Sequence, residues 1–364
     1  MIKSIIDRIK GILKRNQLIY FIKYKYFNKD YREGYLLMKS NETKSKEVIA
    51  QEMSLIKDYW HCQPCHYVRY RLYDMDLDTE SLLDYVPSFF FYNYFMPSHT
   101  IIPKADFSND KLSQYKLFVA KGIPAPRVVA VYKKGELYNM ENELVDIGSI
   151  DSASPRLFVK PLNGSGGNGI LAFNRKNDKY YFNDQQVTAE LMKKELKSNS
   201  SYIFQEMVQQ CDELNQIYPN SLNTIRVITH EHDAALKVYY CILRLGRGGN
   251  VVDNSAQGGI SVNIQIETGL FSDYAITEHG LRKFYSHPDT GFVFKGRGIN
   301  NWQQVLAQIS SITSQFTGYG AIGWDFAISQ SGVQLIEMNI GYGIDHVQIS
   351  SGGVRRKLSI YPSK

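Results

Sequence analysis

The sequence predicts an α+β fold in which a helical N-terminal region precedes a larger domain with much antiparallel sheet. From about residue 89 onward, short apolar stretches alternate with Gly, Asn, Pro and Asp, which is typical of strands separated by turns. Residues 1–85 are instead aromatic and poor in glycine, with apolar residues at helical spacing over 47–59. Only two clear helical patterns interrupt the strands, unlike the regular alternation of α/β folds. We therefore expect an N-terminal helical, basic region (residues 1–85) and a second domain (residues 86–364).

The individual elements follow from the same patterns. One helix is expected over residues 110–121, because Asn109 can cap it and Gly122-Ile123-Pro124 ends it. A second is expected over residues 301–316, where apolar residues recur every three or four positions. The predicted strands are residues 127–132, 156–159, 170–173, 179–182, 202–204, 224–229, 237–245, 261–266, 321–328 and 333–338.

Positive charge is concentrated at the N-terminus. The formal net charge is +6, but residues 1–46 hold 12 Lys and Arg against 4 Asp and Glu. The rest of the chain is slightly acidic, at −2, which argues against a nucleic-acid-binding protein. No apolar run approaches the roughly 20 residues that span a bilayer. We see no secretory signal either, so we expect a cytoplasmic location.

Residues 2–13 place apolar side chains at helical spacing and basic side chains mostly around the other face. An interfacial helix on anionic lipid has this pattern, and so does a helix packed on its own domain with a solvated basic face. We favour the second interpretation. The alternative is a peripheral contact of residues 1–46 with the inner face of the membrane.

Residues 61–66 contain the pattern C-x-x-C-H, formed by Cys62, Cys65 and His66. This pattern occurs in c-type haem attachment, and two thiols with two imidazoles could also hold zinc. Haem attachment needs an export route that is not visible, and six consecutive residues are cramped for a tetrahedral zinc site. We therefore interpret the pattern as a coincidence within an aromatic helical region, with reduced cysteines.

A glycine-rich loop follows a lysine at the end of a predicted strand. Glycines let backbone N–H groups approach phosphate oxygens closely. A dinucleotide-binding fingerprint would open a helix after the glycines, whereas two strand-like runs follow here and indicate a hairpin. A hairpin with a lysine at its root suits a lid over a triphosphate, and a mobile surface hairpin is the alternative. The residues concerned are Lys160, Gly164, Ser165, Gly166, Gly167 and Gly169.

Two predicted strands near the C-terminus carry an oxygen-rich cluster. Antiparallel pairing around the turn 329–332 brings Asp325 close to Glu337 and Asn339. The period of two places Glu337 and Asn339 on one face of their strand. Two carboxylates and an amide oxygen suit hard magnesium ions. Polar residues facing solvent are the alternative, although the apolar neighbours favour a buried sheet.

In this order, the motifs resemble the ATP-grasp superfamily, which includes D-alanine–D-alanine ligase and biotin carboxylase. Lys111 before Gly122-Ile123-Pro124, Lys160 with its glycine loop, and the carboxylate cluster carry the resemblance. Further stretches resemble the branch of ATP-grasp proteins associated with sugar transfer and polysaccharide gene clusters. They are residues 222–227, 243–247, 252–260, 322–325 and 337–339.

The resemblance implies an ATP-grasp fold, in which two α+β subdomains with mixed and antiparallel sheets clasp ATP. It places the nucleotide lid around residues 156–208 and the metal-binding part around residues 220–345. In this resemblance Gln205 would face the adenine amino group and Val208 would offer a backbone contact, while Asp212 or Glu213 would hold the ribose. The implied cofactor-binding residues are Lys111, Lys160, Gly164, Ser165, Gly166, Gly167, Gly169, Gln205, Glu206, Val208, Asp212 and Glu213. The implied ligands of Mg²⁺, expected as two ions, are Asp325, Glu337 and Asn339.

The chemistry implied by the resemblance is ATP-dependent amide formation through an acylphosphate, with Lys160, Arg226 and Arg244 as catalytic residues. The substrates would be a carboxylate, as in a sugar acid or a polysaccharide precursor, and an amine. Two alternatives are a phosphotransferase acting on a sugar and a non-catalytic nucleotide-binding subunit of a glycan assembly complex. For Arg226 and Arg244, an ion pair at a strand end is the alternative role.

Overall fold

The computed structural model describes residues 16–40, 44–101, 110–150, 156–163, 169–176, 179–182, 185–196, 200–277 and 282–362. The glycine-loop residues Gly164, Ser165, Gly166 and Gly167, and the basic pattern of residues 2–13, lie outside these ranges. No helix among the described residues is both long and apolar enough to cross a membrane.

Most helices precede the sheets in the chain. The α-helices are α1 (Gln17–Phe27), α2 (Lys29–Ser40), α3 (Lys46–Trp60), α4 (Cys65–Arg69), α5 (Thr79–Leu83), α6 (Ser88–Phe90), α7 (Met96–His99), α8 (Lys111–Ala120), α9 (Ala189–Glu195), α10 (Asp212–Ile217), α11 (Trp302–Thr313) and α12 (Asp345–Ser351). A π-helical stretch, Phe91–Phe95, joins α6 to α7. Short 3₁₀ helices are Leu72–Asp74, Ile147–Ser149, Ser255–Gln257 and Ser314–Phe316.

The first sheet, called the lid sheet below, has seven antiparallel strands in the order β2-β1-β7-β3-β4-β5-β6. They are β1 (Val128–Lys133), β2 (Glu136–Tyr138), β3 (Arg156–Pro161), β4 (Leu171–Lys176), β5 (Lys179–Phe182), β6 (Gln185–Val187) and β7 (Tyr202–Glu206). Strands β4 and β5 pair directly, which confirms the hairpin predicted after the glycine loop. Strand β3, which carries Lys160, pairs with β4.

The second sheet, called the base sheet below, also has seven antiparallel strands, in the order β12-β11-β10-β9-β8-β13-β14. They are β8 (Thr224–His232), β9 (Ala235–Leu245), β10 (Ile260–Ile264), β11 (Ala275–Ile276), β12 (Lys283–Phe284), β13 (Ile322–Ser329) and β14 (Gly332–Ile340). All eight residues of β13 are buried, as its apolar sequence predicts for a central strand. The α+β prediction is confirmed.

The predicted elements agree with the structure to within a few residues, but one predicted helix cap is wrong. Helix α8 is capped by Asp110, whose carboxylate accepts hydrogen bonds from the backbone N–H groups of Leu112 (3.0 Å) and Ser113 (3.2 Å). A carboxylate at this position accepts hydrogen bonds from N–H groups that have no partner within the helix. Its negative charge also interacts favourably with the positive end of the helix dipole. The predicted cap, Asn109, lies outside the described residues.

The N-terminal helices share a hydrophobic core with the C-terminal end of the chain. The core includes Trp60 and Phe91 together with Tyr342 and Val354. Buried polar contacts join the same two parts. The Tyr70 hydroxyl donates to Asp345 (2.6 Å), and Arg69 pairs with the same carboxylate at 3.2 Å. The predicted boundary at residue 85 stays a prediction, and this core extends across it.

The C-x-x-C-H residues are part of this core. Cys62 and Cys65 are buried free thiols, and burial raises the pKa of each to about 12. Burial lowers the pKa of His66 to about 3, so its ring is neutral. Within the described ranges, no group of three or more His, Cys, Asp or Glu side chains is placed to hold a metal ion.

Candidate active site

Three neighbouring strands of the base sheet bring the predicted polar residues together. Asp325 on β13 lies opposite Arg226 on β8 and opposite Glu337 on β14. A bulge at this point inserts Ile336 into β14, because Phe326 pairs with Leu335. The bulge lets Ile336 and Glu337, which would face opposite sides of a regular strand, both line one cavity.

Asp325 is held by two arginines. Its carboxylate accepts hydrogen bonds from Nε and Nη2 of Arg226 at 2.6 and 3.1 Å, a two-pronged contact. Nη2 of Arg244 lies 3.6 Å away, and the side-chain amide of Asn339 donates at 3.3 Å. Burial raises the pKa of Asp325, but Arg226 and Arg244 outweigh burial, so the pKa lies below its ordinary value. Asp325 is therefore a buried carboxylate kept ionised by its neighbours.

Arg244, on β9, has a second carboxylate partner that lies on the β9–β10 connection. Its Nη2 is 3.2 Å from Oδ1 of Asp253, and its Nε donates to the Thr224 hydroxyl at 3.1 Å. Thr224 in turn donates its hydroxyl and its backbone N–H to Asp253. Burial raises the pKa of Asp253, and Arg244 opposes that shift. This arrangement fixes the plane of the Arg244 guanidinium group.

One edge of each arginine remains available. Among the described residues, none accepts a hydrogen bond from Nη1 of Arg226 or Arg244. Both side chains line the cavity that Glu337 borders. Two guanidinium groups that are anchored on one edge can bind an anion through the other.

Lys160 and Lys111 bring further positive charge to the cavity. Lys160, on β3, donates to Oε1 of Gln205 at 2.8 Å, and Lys111 lies 3.5 Å from Oε1 of Glu337. Burial lowers the pKa of Lys160 to about 8; the Glu337 carboxylate opposes the shift, and the Lys111 ammonium adds to it. A phosphate group placed between the two lysines would favour the charged form of both.

These groups enclose a cavity of about 230 Å³ between the two sheets. Four cations and three carboxylates line it, together with two amides and apolar side chains. The charged residues and the amides are Lys111, Lys160, Arg226, Arg244, Asp253, Asp325, Glu337, Asn254 and Asn339. A concave site with convergent charges of both signs is suited to a phosphorylated ligand and a cation.

A larger cavity of about 820 Å³ adjoins the first. The two cavities share Phe158, Ile170, Leu222 and Val251 as lining residues. The larger one is bordered by the chain segment after β7, including Val208, and by helix α10, including Asp212.

Several predicted site residues are engaged elsewhere. The Gln205 side chain accepts from Lys160 and donates to the Pro126 carbonyl at 3.1 Å, so its oxygen and one of its two N–H groups are already engaged. Glu206 pairs with Arg127 at 3.0 Å. The Glu213 carboxylate accepts from the backbone N–H of Asn300, outside both cavities, whereas Asp212 lines the larger one. Of the two residues predicted for the ribose, Asp212 is therefore the better placed.

Gly169 ends the glycine loop with a positive φ of 73°. A Cβ atom there would lie 3.2 Å from the Pro161 ring, so both conformation and space favour glycine.

Two positioning residues were not predicted. Gln114, one turn after Lys111 on α8, exchanges two hydrogen bonds (2.8 and 3.0 Å) with the backbone of Met338, between Glu337 and Asn339. Its spacing from Lys111 on the same helix face was the available signal.

The second is His287, whose Nδ1 accepts from the Asp289 N–H (3.3 Å), so Nε2 carries the proton and donates to the Gly246 carbonyl (2.9 Å). His287 thereby holds the start of the β9–β10 connection that carries Asp253. No local pattern in the sequence links these two distant segments.

The oxygen donors at one end of the cavity suit a magnesium ion. Asp325, Glu337 and Asn339 offer only oxygen donors, as a hard divalent cation requires. Because the Asn339 amide N–H₂ group donates to Asp325, its Oδ1 is left as an acceptor. The Glu337 side chain is 27% exposed and borders the cavity, whereas Asp325 is already surrounded by donors. The residues fit a cation on the side of Glu337 and Asn339.

Comparison with known proteins agrees with this architecture. The profile of the sugar-transfer associated ATP-grasp family matches residues 99–360. The chain has the ATP-grasp fold and belongs to the sugar-transfer associated ATP-grasp family. No curated protein matches the chain.

Solved structures with similarity to the chain include two ligases and one synthase. D-Alanine–D-alanine ligase from Helicobacter pylori is 11% identical, with a TM-score of 0.40 over 72% of this chain and 59% of that one. VanG D-Ala:D-Ser ligase from Enterococcus faecalis is 15% identical (TM-score 0.40; 68% and 57%). Carboxyaminoimidazole ribonucleotide synthase from Aspergillus clavatus, complexed with ATP, is 12% identical (TM-score 0.40; 71% and 53%). The chain thus spans less than two thirds of the length of each.

Proposed function

We propose that the protein is an ATP-dependent carboxylate–amine ligase that forms an amide through an acylphosphate. The observation that carries this proposal is the single cavity in which Lys111, Lys160, Arg226 and Arg244 face Glu337 and the rest of the oxygen cluster. Phosphoryl transfer depends mainly on positioning and on stabilisation of negative charge, and this cavity supplies both.

ATP would occupy both adjoining cavities. We place the nucleoside in the larger cavity, with adenine along the backbone of Val208 and the ribose at Asp212. The phosphates would extend to Lys111 and Lys160, under the hairpin that includes Gly169. The Gln205 amide would act on ATP indirectly, since it holds Lys160.

Magnesium would be held by Glu337 and Asn339, with Asp325 behind them, and two ions are proposed. When bound, the metal would neutralise charge on the transferring phosphoryl group. Asp325 then has a double role in this proposal, because its carboxylate also orients Arg226 and Arg244.

The proposed reaction has two balanced steps. A carboxylate oxygen of the first substrate attacks the γ-phosphorus, the bond to the bridging oxygen of ADP breaks, and an acylphosphate forms. The amine nitrogen of the second substrate then attacks the acyl carbon; inorganic phosphate leaves with the C–O bond electrons, and the amine loses a proton. The available Nη1 edges of Arg226 and Arg244 would bind the substrate carboxylate and the developing oxyanion.

The substrates are proposed to be small molecules or glycan precursors. The description of the family as sugar-transfer associated supports a sugar acid or polysaccharide precursor as the carboxylate. The slight acidity of the chain after residue 46 supports neither DNA nor RNA as a ligand. We expect the reaction in the cytoplasm, where ATP is supplied, with access to the inner face of the membrane.

A phosphotransferase that phosphorylates a sugar is the second candidate, because the same cradle could deliver the γ-phosphate to a hydroxyl. A non-catalytic nucleotide-binding subunit is the third. The convergence of both lysines with Glu337 and Asn339 favours catalysis over simple nucleotide sensing.

The test is a screen for ADP release with uronic acids, nucleotide-sugars and candidate amines. A ligase releases phosphate and forms an amide only when a carboxylate and an amine are both present. Hydroxylamine in place of the amine should trap the acylphosphate as a hydroxamate. Formation of a phosphorylated sugar without any hydroxamate would indicate the phosphotransferase. If the Glu337→Gln variant released ADP as fast as the wild type, the proposed active site would be excluded.

A further inference from the structure

Helix α1 exposes an apolar face instead of burying it. Leu18, Ile19, Ile22 and Tyr26 are 64%, 37%, 42% and 59% exposed. With 3.6 residues per turn, these four side chains fall within an arc of about 100°. An exposed row of this kind on an otherwise packed helix indicates a contact surface.

The opposite face of α1 is anchored to the protein. Tyr20 and Phe21 pack against the N-terminal core, and the Tyr20 ring lies 5.2 Å from the Phe89 ring, edge to face. The Gln17 side chain donates to the His61 carbonyl at 2.7 Å. The exposed arc is therefore held outward by contacts on the other side of the helix.

Lysines border the apolar arc on both sides. Each residue turns the helix by about 100° around its axis. Viewed along that axis, Lys25 lies about 20° outside the edge of the arc at Leu18, and Lys23 lies about 40° outside the edge at Ile19. Both lysines are exposed, and Nζ of Lys25 lies 5.5 Å from the centre of the Tyr26 ring. Lysine stems can lie along apolar surface while the ammonium groups reach a layer of negative charge.

We propose that α1 docks on a membrane surface with anionic lipids, its apolar arc inserted and its two lysines at the phosphate level. A helix that is anchored on one face and presents an apolar row between lysines on the other can lie in the plane of the interface. Residues 16–40 carry five Lys or Arg and two Asp or Glu, which complements a negative surface.

A second copy of the chain fits the surface less well. Docking two α1 helices face to face would bring the lysine borders of both copies together, and like charges across an interface cost free energy. Docking on lipid does not depend on the proposed ligase activity. It would place the enzyme beside membrane-bound glycan precursors.

The experiment is co-sedimentation of the full chain with vesicles of phosphatidylcholine alone or mixed with phosphatidylglycerol. We expect the protein to prefer the mixed vesicles, and added salt to weaken binding. Replacing Lys23 and Lys25 by Gln should lower the partition coefficient by roughly fivefold per lysine. Replacing Ile22 by Ser should lower it by about tenfold.

Matched controls come from exposed residues elsewhere. Leu144, with the same 64% exposure as Leu18, and the exposed Lys237 lie on other parts of the protein. Leu144→Ser and Lys237→Gln should bind vesicles as the wild type does. All variants should keep the wild-type circular dichroism and melting temperature, because the substituted side chains are exposed.

Three results would overturn the proposal. They are a wild-type protein without preference for anionic vesicles, control variants as defective as Ile22→Ser, and a dimer in light scattering that Leu18→Ser dissociates. The ADP-release assay in solution separates this proposal from the ligase assignment. A protein that releases ADP but does not bind vesicles would refute only the membrane-docking proposal. A protein that binds vesicles but shows no ligase activity would refute only the proposed ligase function.

Discussion

The cations of the lid sheet and of the base sheet are held in opposite ways. In the base sheet, Arg226 and Arg244 are fixed by buried carboxylates, Asp325 and Asp253. In the lid sheet, Lys160 is held by the neutral amide of Gln205, and its pKa is lowered to about 8.

The difference shows how one cavity can combine permanent and adjustable charge. Arginine remains charged at any physiological pH, and carboxylate partners give it a fixed direction. Burial brings the pKa of Lys160 down to about 8, where its charge can change, and an arriving phosphate would raise that pKa again. We infer that the arginines of the base sheet are fixed before ligand binding, whereas the charge of Lys160 in the lid sheet changes with pH and with bound phosphate. Four experiments can test this difference.

The largest effect is expected from Asp325→Ala, which removes the shared partner of both arginines. Leaving the Arg226 guanidinium group without its carboxylate, and Arg244 with Asp253 alone, should lower the free energy of unfolding by about 3–5 kcal/mol. ADP formation should also be lost. Chemical denaturation measures the first effect, and Asp273→Ala is the control. Its pair with Lys295 is exposed, so it should change stability by less than about 1 kcal/mol.

Thr224→Val should damage catalysis more than nucleotide binding. The change removes the hydroxyl that joins Arg244 to Asp253 without removing either charge. Because small displacements of a positioning group are costly, we expect kcat to fall by roughly 10- to 100-fold with little change in KM for ATP. Thr224→Ser retains the hydroxyl and should restore kcat. A uniform loss of folded protein in both variants would contradict this positioning role.

Lys160 should make ATP binding depend on pH. As the pH rises through about 8, Lys160 loses its positive charge, so the affinity for ATP should decrease above that value. Lys160→Arg stays charged and should remove this decrease, whatever its effect on absolute affinity. Dissociation constants measured by calorimetry on both sides of pH 8 provide the comparison. The same slope in both proteins would assign the titration to another group.

The smallest effect is expected at Glu206. Its side chain pairs with Arg127, which is 44% exposed, and lines neither of the two cavities. Glu206→Gln should therefore change KM for ATP by less than about threefold, as for other exposed ion pairs. A loss of more than about tenfold in nucleotide affinity would show that the carboxylate contacts ATP after all.

Much of the fold could be predicted because the strands have strong local signals. Alternating apolar runs bounded by turn residues gave β5 with its exact bounds and β13 to within one residue at each end. The pairing of Asp325 with Glu337 followed from a short hairpin turn. The clustering of Lys111 and Lys160 with this hairpin came instead from the superfamily resemblance.

The remaining features depend on contacts between distant segments, which local patterns do not encode. The bulge at Ile336 changes which side chains reach the cavity, although Leu335 to Met338 looks like a regular strand. The engagement of Gln205 by Lys160 depends on the pairing of β3 with β7. The clamp of His287 on Gly246 joins residues 41 positions apart.

Whether a carboxylate attacks ATP in this cavity can be decided by an oxygen-18 transfer experiment. The carboxylate identified by the ADP-release screen would be labelled with oxygen-18 and converted with ATP and the amine. We predict that the released inorganic phosphate contains one labelled oxygen from the carboxylate, because the C–O bond of the acylphosphate breaks in the second step. Unlabelled phosphate would exclude an acylphosphate intermediate, since the phosphoryl group would then have passed to water or to another acceptor.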